Sequence, residues 1–315
     1  MQILRHLIWG TGMLNNKSLT GHILALFSAF VWGITFVSTK VLLSELSAVE
    51  ILFYRFLLGY IALWIVHPKR NKFSGIKNEL YYAAAGLSGT TIYQFFENTA
   101  LSYTYASNVS IIVSTVPLFA GMIAVFVFKE KMNTNFFIGF FVAILGIVLI
   151  NLNGSIVLKL KPAGDILAIV SAMLWAVYTN FVNIINKQNS DVLCTTRHMF
   201  FYGVIFILPI MIFGDFDINS VYTLPHTRIL INILFLGVIA SAVCFVTWNA
   251  AVKQLGPVKS SIYIYLIPVI TLIFSTVILK EKIGAAGIAG MALVLAGLVI
   301  SGSKLKKRNA GEISA

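Results

Sequence analysis

The sequence predicts an all-α integral membrane protein in which ten transmembrane helices form two inverted five-helix repeats. Three observations support this fold class: the composition, a series of long apolar runs, and an internal duplication. Of the 315 residues, 58% are hydrophobic and 11% are charged, whereas an average soluble domain carries roughly 25% charged residues. A soluble fold of this size could not bury so much apolar surface, so we expect lipid to surround most of the chain.

Ten apolar runs are long enough to be membrane helices, since a helix needs about 20 apolar residues to cross the hydrocarbon core. Turn-forming or charged segments separate them, and none of these separators is long enough for a soluble domain. The predicted spans are residues 21–43, 47–66, 79–100, 105–128, 134–152, 164–186, 190–213, 228–252, 257–279 and 284–302.

The second half of the chain repeats the first. Residues 100–131 return as residues 251–282 at a constant offset, so that Pro117 corresponds to Pro268 (268 − 117 = 151). Nearer the start of each copy the offset is 143. Because each copy holds five predicted spans, an odd number, the second copy enters the bilayer upside down, which makes inverted-topology repeats.

The spans and the duplication divide the chain into four parts. These are a cytoplasmic N-terminal segment at residues 1–20, a first five-helix repeat at residues 21–153, a second five-helix repeat at residues 164–302, and a basic cytoplasmic tail at residues 303–315.

Basic residues set the predicted orientation. With both termini in the cytoplasm, the cytoplasmic segments hold fifteen Lys and Arg residues and the opposite loops hold five. We therefore expect both termini on the cytoplasmic side of a bacterial cytoplasmic (inner) membrane. The net charge of +12 then reflects cationic loops and not a nucleic-acid partner.

Several motifs follow one another in order through the first copy, and the pattern returns in the second. They are Trp32-Gly33 with Phe36, Val37 and Lys40, then Arg55-Phe56, Asn98-Thr99-Ala100-Leu101, Ser107-Asn108, Pro117-Leu118 and Lys129-Glu130. In these motifs, their spacing and their duplication, the chain resembles the drug/metabolite transporter superfamily, in its ten-helix EamA-like branch, over residues 21–302. The resemblance implies a transporter of small metabolites such as amino acids, often an exporter, with a central cavity between two EamA-like repeats.

Glu97 is the first candidate for function, because a charge within a membrane span is costly. It lies about one turn from the outer end of the third predicted span, on one helical face with Gly86, Thr90 and Tyr93. We expect that small polar face to line the cavity. The second copy has Trp248 at the corresponding position, so the acid exists in one half only. Glu97 is interpreted either as a proton site or as an anchor for a cationic substrate group. The alternative is a structural carboxylate that lies at the membrane–water interface or pairs with Lys40 or Arg55.

Two cations accompany this acid. Arg55 could bind a substrate carboxylate through two hydrogen bonds, or it could pair with Glu50, Glu97 or helix-end carbonyl groups and hold the bundle together. Lys40 could contact the substrate or extend to the lipid headgroups. Lys40, Arg55 and Glu97 are the candidates for proton or charge coupling.

Pro117 and Pro268 are predicted to kink their helices, because proline removes one helical hydrogen bond and strains the backbone. The freed carbonyl groups would be those of Val113 and Ile264, near the middle of the bilayer. Irregular backbone at that depth is tolerated where it faces protein or a wet cavity. The pair therefore marks either the substrate site or an ordinary packing kink.

Aromatic and small hydroxyl side chains share helical faces in both copies. Trp32 shares a face with Thr35, and its duplicate Trp175 shares one with Tyr178. Such a combination suits a pocket for a small amphipathic molecule, although packing between helices explains it equally well. The candidate cavity residues are Trp32, Thr35, Tyr93, Glu97, Asn98, Ser110, Ser114, Trp175, Tyr178, Trp248, Asn249 and Tyr265.

These features predict a secondary transporter that exports an amino acid or a related compound by alternating access. A proton gradient or the substrate's own gradient would drive it. The alternatives are a membrane scaffold or receptor without transport, and an intramembrane enzyme. We expect no cofactor and no metal, because the sequence has no Walker, HExxH or GxSxG motif and its two cysteines lack metal-ligand spacing. The expected partners are a small-molecule substrate and the lipid bilayer, with no nucleic acid, and a monomer is plausible.

Overall fold

The computed structural model describes residues 16–69, 73, 75–127, 129, 134–151, 162–188, 191–278 and 284–302. Every regular element within these ranges is a helix, which confirms the predicted all-helical class. Residues 1–15, the inter-repeat residues 152–161 and the predicted tail at residues 303–315 lie outside the described ranges.

The helices follow one another in the order that the apolar runs predict. In the first half they are α1 (Asn16–Leu42), α2 (Ala48–Val66), α3 (Ile76–Ala85), α4 (Tyr93–Tyr103), α5 (Ala106–Val113), α6 (Val116–Phe126) and α7 (Thr134–Asn151). In the second half they are α8 (Pro162–Gln188), α9 (Val192–Phe213), α10 (Thr227–Leu234), α11 (Cys244–Leu255), α12 (Pro257–Ser261), α13 (Leu266–Ile278) and α14 (Ala285–Gly302). Two π-helices join α3 to α4 (Gly86–Ile92) and α10 to α11 (Phe235–Val243), and two 3-10 turns lie at Ile218–Thr223 and Ile262–Tyr265.

Seven helical stretches of the described chain are long and apolar enough to cross a membrane. They are Ser18–Leu42, Ala48–Val66, Val109–Phe126, Pro162–Gln188, Val192–Phe213, Thr227–Leu255 and Pro257–Ile278. Two further apolar helices, Thr134–Gly146 and Ala285–Ser301, are shorter. Large apolar side chains on the outside of the bundle are exposed, such as Phe213 at 89% and Ile65 at 77%, and lipid is the solvent that accommodates them.

Helices from the two halves pack against each other in matched pairs. α1 packs on α11, and the corresponding helices of the other copy, α8 and α4, also pack together. Gly21 of α1 lies against the side chains of Gln254 and Leu255, and its duplicate Gly164 of α8 lies against those of Tyr103 and Thr104, which correspond to them at the offset of 151. The two contacts are therefore equivalent under the duplication.

α7 and α14 cross through glycines in an antiparallel pair. Gly139 lies against the carbonyl oxygen of Gly297, and Gly146 lies against the carbonyl oxygen of Gly290. At the offset of 151 the residues of the first contact become those of the second (290 − 139 = 151 and 297 − 146 = 151). Small residues allow two helix backbones to approach closely within a membrane.

The two π-helices occupy corresponding positions, a feature that the sequence did not predict. Each contains a glycine pressed against a neighbouring backbone: a Cβ added to Gly86 would lie 2.8 Å from the nitrogen of Gly203, and one added to Gly237 would lie 3.1 Å from the oxygen of Arg55. The Thr91 hydroxyl also donates a hydrogen bond to the Gly203 carbonyl oxygen at 2.9 Å. Because a π-turn holds one more residue than an α-turn, it rotates the side chains that follow it.

A local change of helical geometry precedes Pro117 and Pro268. α5 ends at Val113 and α6 begins at Val116, so Pro117 lies in the first turn of a new helix, where its missing N–H costs little. In the second half the 3-10 turn Ile262–Tyr265 comes just before α13, which contains Pro268.

Candidate functional site

A small cavity lies between the two halves, with walls from both of them. It offers about 10 Å³ to the centre of a water-sized sphere, which is about the room that one water molecule needs. Its walls are formed by Trp32, Thr35, Phe36, Arg55, Tyr93, Gln94, Glu97, Val113, Trp175, Ile264 and Ile267. Six of the predicted site residues therefore meet here: Trp32, Thr35, Arg55, Tyr93, Glu97 and Trp175.

Arg55 is the cation of this cavity, and only 1% of its surface is exposed. Its Nε donates a hydrogen bond to the Ser241 hydroxyl at 2.7 Å, and its Nη1 donates one to the Gln94 side-chain oxygen at 2.6 Å. Neither partner is the carboxylate that the sequence suggested. Glu50 instead accepts hydrogen bonds from the backbone amides of Ser47 at 2.7 Å and Asp217 at 3.0 Å.

Glu97 is the acid of the same cavity and is 3% exposed. Its carboxylate accepts a hydrogen bond from the Tyr93 hydroxyl, and neither Arg55 nor Lys40 forms a close ion pair with it. The cavity thus holds one buried carboxylate and one buried guanidinium cation, and the hydrogen bonds of both go to neutral side chains. Burying a charge costs free energy and is a sign of a functional site where no direct ion pair forms. Arg55 and Glu97 are therefore candidates for substrate binding and proton coupling.

The predicted polar face of the third span is divided by the π-helix. Tyr93 and Glu97 follow the π-helix and border the cavity. Gly86 and Thr90 lie within it and pack against α9 at Gly203. The expectation that all four residues share one cavity-facing surface is wrong, because the wider turn rotates the residues before it away from those after it.

Tryptophan side chains form the apolar part of the site. The ring of Trp32 contacts those of Trp175 and Trp248 at centroid distances of 5.0 and 5.1 Å, and Tyr93 contacts Trp175 at 4.8 Å. The Trp32 indole N–H donates a hydrogen bond to the Ala240 carbonyl oxygen at 3.0 Å. The indole nitrogens of Trp175 and Trp248 are buried and have no hydrogen-bond acceptor among the described residues.

Lys40 lies away from the cavity and has a structural contact. Its Nζ donates hydrogen bonds to the carbonyl oxygens of Leu101 at 2.6 Å and Thr104 at 2.9 Å. These groups lie at the C-terminal end of α4, where a cation also interacts favourably with the helix dipole.

A second polar network surrounds Asn249, beside the cavity. The Tyr178 hydroxyl donates to the Asn249 side-chain oxygen at 2.9 Å, and the Asn249 amide donates to the Thr196 hydroxyl at 2.9 Å. Its duplicate Asn98 donates to the Ala48 carbonyl oxygen at 3.3 Å. Both asparagines tie helices together and neither borders the cavity.

The remaining predicted residues lie in the packed interior. Ser110 and Ser114 donate to carbonyl oxygens of their own helical segment, at Ser107 and Ser110, and Tyr265 belongs to a hydrophobic cluster with Phe136 and Phe140. Val113 and Ile264 do border the cavity, so the irregular backbone ahead of both prolines approaches the site.

Gln94 is the main site residue that sequence reasoning missed. It lies three residues before Glu97, is 3% exposed and accepts the hydrogen bond from Arg55. An amide within an apolar span is the signal that could have identified it. The face expected from an unbroken α-helix, through Gly86, Thr90, Tyr93 and Glu97, does not include this position.

Two histidine–carboxylate pairs join the halves at the end of the bundle where α2 ends. His67 pairs with Asp191 at 2.9 Å, and His198 pairs with Glu79 at 2.9 Å. Arg197 donates hydrogen bonds to the carbonyl oxygens of His67 and Lys69. These contacts close that end of the bundle.

Asp191 also starts a helix. Its carboxylate accepts a hydrogen bond from the backbone amide of Cys194 at 3.0 Å. Burial raises the pKa of Asp191, but hydrogen bonds from the Cys194 amide and from His67 outweigh burial, so the pKa lies below its usual value. The Cys194 sulfur lies near His67 and Asp191; the Arg197 guanidinium, 3.6 Å from that sulfur, opposes cation binding there.

A helical bundle with lipid-compatible surfaces and a cavity shared by two repeated halves has the architecture of a membrane transporter. A family model described as the EamA-like transporter family matches residues 19–152 and 162–303. The chain belongs to the EamA-like transporter family, and the expected membership of the drug/metabolite transporter superfamily is confirmed. It is an integral membrane protein and a transporter of this type.

Several known proteins resemble the chain over most of its length. An uncharacterized transporter of Archaeoglobus fulgidus is 29% identical over 296 residues, which is 92% of this chain and 99% of that protein. An uncharacterized transporter of Clostridium kluyveri is 26% identical over 305 residues, or 92% and 95%. A probable terminal-alkyne amino-acid exporter of Streptantibioticus cattleyicolor is 26% identical over 221 residues, or 69% and 71%.

One crystal structure superposes on the chain with a TM-score of 0.67 at 16% sequence identity, covering 89% of this chain and 95% of that chain. At this sequence identity the superposition shows that the two chains share a fold.

Proposed function

We propose that the protein is a secondary transporter that exports an amino acid or a related small metabolite across the bacterial cytoplasmic membrane. The observation that carries the proposal is the cavity between the halves, in which Arg55 and Glu97 lie among aromatic side chains. An amino acid carries a carboxylate, an ammonium group and a variable side chain, and these match a cation, an acid and an apolar wall. The similarity to a probable amino-acid exporter supports the same substrate class.

Alternating access follows from the proposed topology of ten spans in two inverted repeats. The matched helix contacts, the corresponding π-helices and the glycine crossing of α7 with α14 support that topology. A cavity at the boundary of two such halves becomes open to one side or the other when the halves rock.

The two ends of the bundle differ in a way that supports this motion. A cleft of about 260 Å³ opens at the end that holds residues 43–47, with Val41, Glu45, His226 and Arg228 among its walls. The opposite end is closed by the pairs His67–Asp191 and His198–Glu79. We infer that the cavity, with room for about one water, is the occluded site, and that substrate enters after one end separates.

Glu97 is the proposed coupling residue. A proton or the substrate's ammonium group would neutralise its charge, and the hydrogen bonds of Arg55 to Ser241 and Gln94 instead of Glu97 favour such exchange. Both halves of one chain supply cavity walls, which supports transport by a monomer.

Reconstituted transport tests the proposal. Purified protein in liposomes is loaded in turn with each of the twenty labelled L-amino acids, and efflux is followed with and without a pH gradient. Transport of at least one of them above protein-free liposomes is expected. Efflux of none of them would contradict the amino-acid assignment, and a scaffold or receptor would behave in this way.

A further inference from the structure

The two duplicated tryptophans of the cavity have different hydrogen bonding. Trp32 and Trp175 correspond at an offset of 143 (175 − 32 = 143). The Trp32 indole N–H donates to the Ala240 carbonyl oxygen at 3.0 Å. The Trp175 side chain is also buried, at 3% exposure, but its indole N–H has no acceptor among the described residues.

The neighbouring residues of the two tryptophans also differ. The backbone position that corresponds to Ala240 is Gly89 (240 − 151 = 89). The ring of Tyr178 lies so close to Gly89 that a methyl group there would overlap the ring. In the first half the residue corresponding to Tyr178 is the much smaller Thr35 (178 − 143 = 35). The Tyr178 ring therefore packs directly on the backbone position that corresponds to the acceptor of Trp32.

An unpaired buried donor is uncommon in proteins, because it has lost water without gaining another partner. Trp175 borders the same small cavity as Arg55. The two hydrogen bonds of Arg55, to Ser241 and Gln94, use two of the five N–H donors that a guanidinium carries. The cavity is thus bordered by an indole donor of the second half that has no acceptor among the described residues, and by a guanidinium of the first half with further N–H donors.

We propose that the Trp175 indole N–H donates a hydrogen bond to a substrate oxygen and acts with Arg55 as the binding site for the substrate's carboxylate. This inference rests on the proposed transport function. It assigns recognition of the acid group to a neutral donor from the second half and a cation from the first. Substrate binding then links the two halves through a single carboxylate.

The test compares acids with the matching amines. Proteoliposomes take up the best-transported labelled L-amino acid, and two competitors are measured: the same amino acid unlabelled, and the primary amine that differs from it by loss of the carboxylate. The ratio of their inhibition constants measures recognition of the carboxylate. We expect Trp175→Phe to lower this ratio about tenfold, the usual effect of losing one hydrogen bond to a charged group. Trp175→His, which keeps a ring N–H, should restore part of it.

Trp32→Phe is the matched control, since the Trp32 N–H is already bound to Ala240. It removes an indole from the same cavity and should leave the ratio within about twofold of the wild-type value, even if uptake slows. Melting temperature and elution profile of each variant verify folding.

Two results would overturn the inference separately from the function. If Trp175→Phe weakens binding of acid and amine equally, the indole contributes only shape to the site. If Trp32→Phe lowers the ratio as much as Trp175→Phe, the asymmetry has no role. Failure of the wild-type protein to transport any probe would instead contradict the proposed function, and this inference with it.

Discussion

Glu97 and Arg55 show at the scale of single residues how the cavity keeps two opposite charges available. Each is almost fully buried, yet each is held by neutral groups: Tyr93 for the acid, and Gln94 with Ser241 for the base. Neutral partners hold each side chain in position, and the two opposite charges attract each other across the cavity without a direct hydrogen bond. A proton or a charged substrate group can then compete for either charge.

Glu97→Gln tests the coupling role directly. The amide keeps the size of the side chain and can still bond to Tyr93, so insertion and melting temperature should stay near wild type. Accumulation driven by a pH gradient should be lost, while exchange at equal pH on both sides should persist. Gradient-driven uptake and equal-pH exchange are measured on one preparation.

The matched control is Glu45→Gln, which removes an exposed carboxylate at the end of α1 and should leave coupling intact. Undiminished gradient-driven uptake by Glu97→Gln would rule out the proton site. A large fall in melting temperature instead would mean that the carboxylate is structural.

Gln94→Leu tests how Arg55 is positioned. Loss of the hydrogen bond at 2.6 Å leaves a charged donor without its neutral partner, which costs about 2 kcal/mol of stability and lets the guanidinium move. We expect a lower melting temperature and a KM raised about tenfold, with maximal rate little changed. Gln254→Leu, at an exposed position of α11, is the control. A wild-type KM in Gln94→Leu would show that Ser241 alone holds Arg55 in place.

At the scale of helices, breaks and turns position the site. α5 and α6 are separate segments around Ser114 and Thr115, and a 3-10 turn occupies the corresponding place in the second half. Both irregular segments approach the cavity through Val113 and Ile264. Such segments deform more easily than a continuous helix, so they suit a site that opens and closes.

We expect Pro117→Ala and Pro268→Ala to slow transport severalfold and to leave membrane insertion intact. Alanine restores an N–H donor and favours a continuous helix, which stiffens the wall of the cavity. Initial uptake rates in proteoliposomes provide the measurement. Pro209→Ala serves as the comparison, because that proline is exposed within α9. Wild-type rates in both variants would mean that the irregular segments are packing details.

Asp191 begins α9 and joins it to α2 through His67. Its pKa is lower in the folded protein than its usual value. A carboxylate of this kind contributes stability that is fully present above the unfolded pKa and is lost as the pH falls through the folded pKa. We therefore expect the stability difference between wild type and Asp191→Ala to be largest at pH 7 and to shrink in acid, below the usual value of 3.8, where the protonated carboxyl still caps the helix.

Thermal unfolding in detergent across that pH range measures this difference. Loss of the helix cap alone should cost about 1 kcal/mol at pH 7. Asp191→Asn retains a capping oxygen and should recover most of that cost. A difference that persists unchanged to low pH would show that the charge of Asp191 contributes nothing.

At the scale of the whole molecule, orientation distinguishes the two ends of the bundle. The excess of basic residues predicts that the loop at residues 67–78 and the tail from Lys304 face the cytoplasm. The end closed by the His67–Asp191 and His198–Glu79 pairs would then be the cytoplasmic gate, and the cleft beside Glu45 would open outward.

Reporter fusions at Lys72 and Lys307 measure this orientation. Both fusions should give a cytoplasmic signal, and a fusion in the loop at residues 214–226 should give an external one. An external signal at Lys72 or Lys307 would refute the assignment and would exchange the two sides of the transport cycle.

The sequence by itself determined the class of protein, the order of the helices and the residues around which the cavity is built. These properties follow from local rules: a bilayer requires about 20 apolar residues per span, a buried charge is costly, and duplication repeats both patterns at a constant offset. Trp32, Arg55, Glu97 and Trp175 are accordingly identifiable from the sequence alone, and they meet in one cavity.

Only the tertiary structure decided which groups each of these side chains contacts. Arg55 bonds to Ser241 from the other half, Lys40 binds the end of α4, and Trp175 lacks the acceptor that its duplicate has. The π-helix Gly86–Ile92 separates Thr90 from Glu97 although the sequence places them on one α-helical face. Helical periodicity describes one helix at a time, whereas partners and register depend on how closely a second helix approaches, and that distance is set by glycines and side chains far away in the chain.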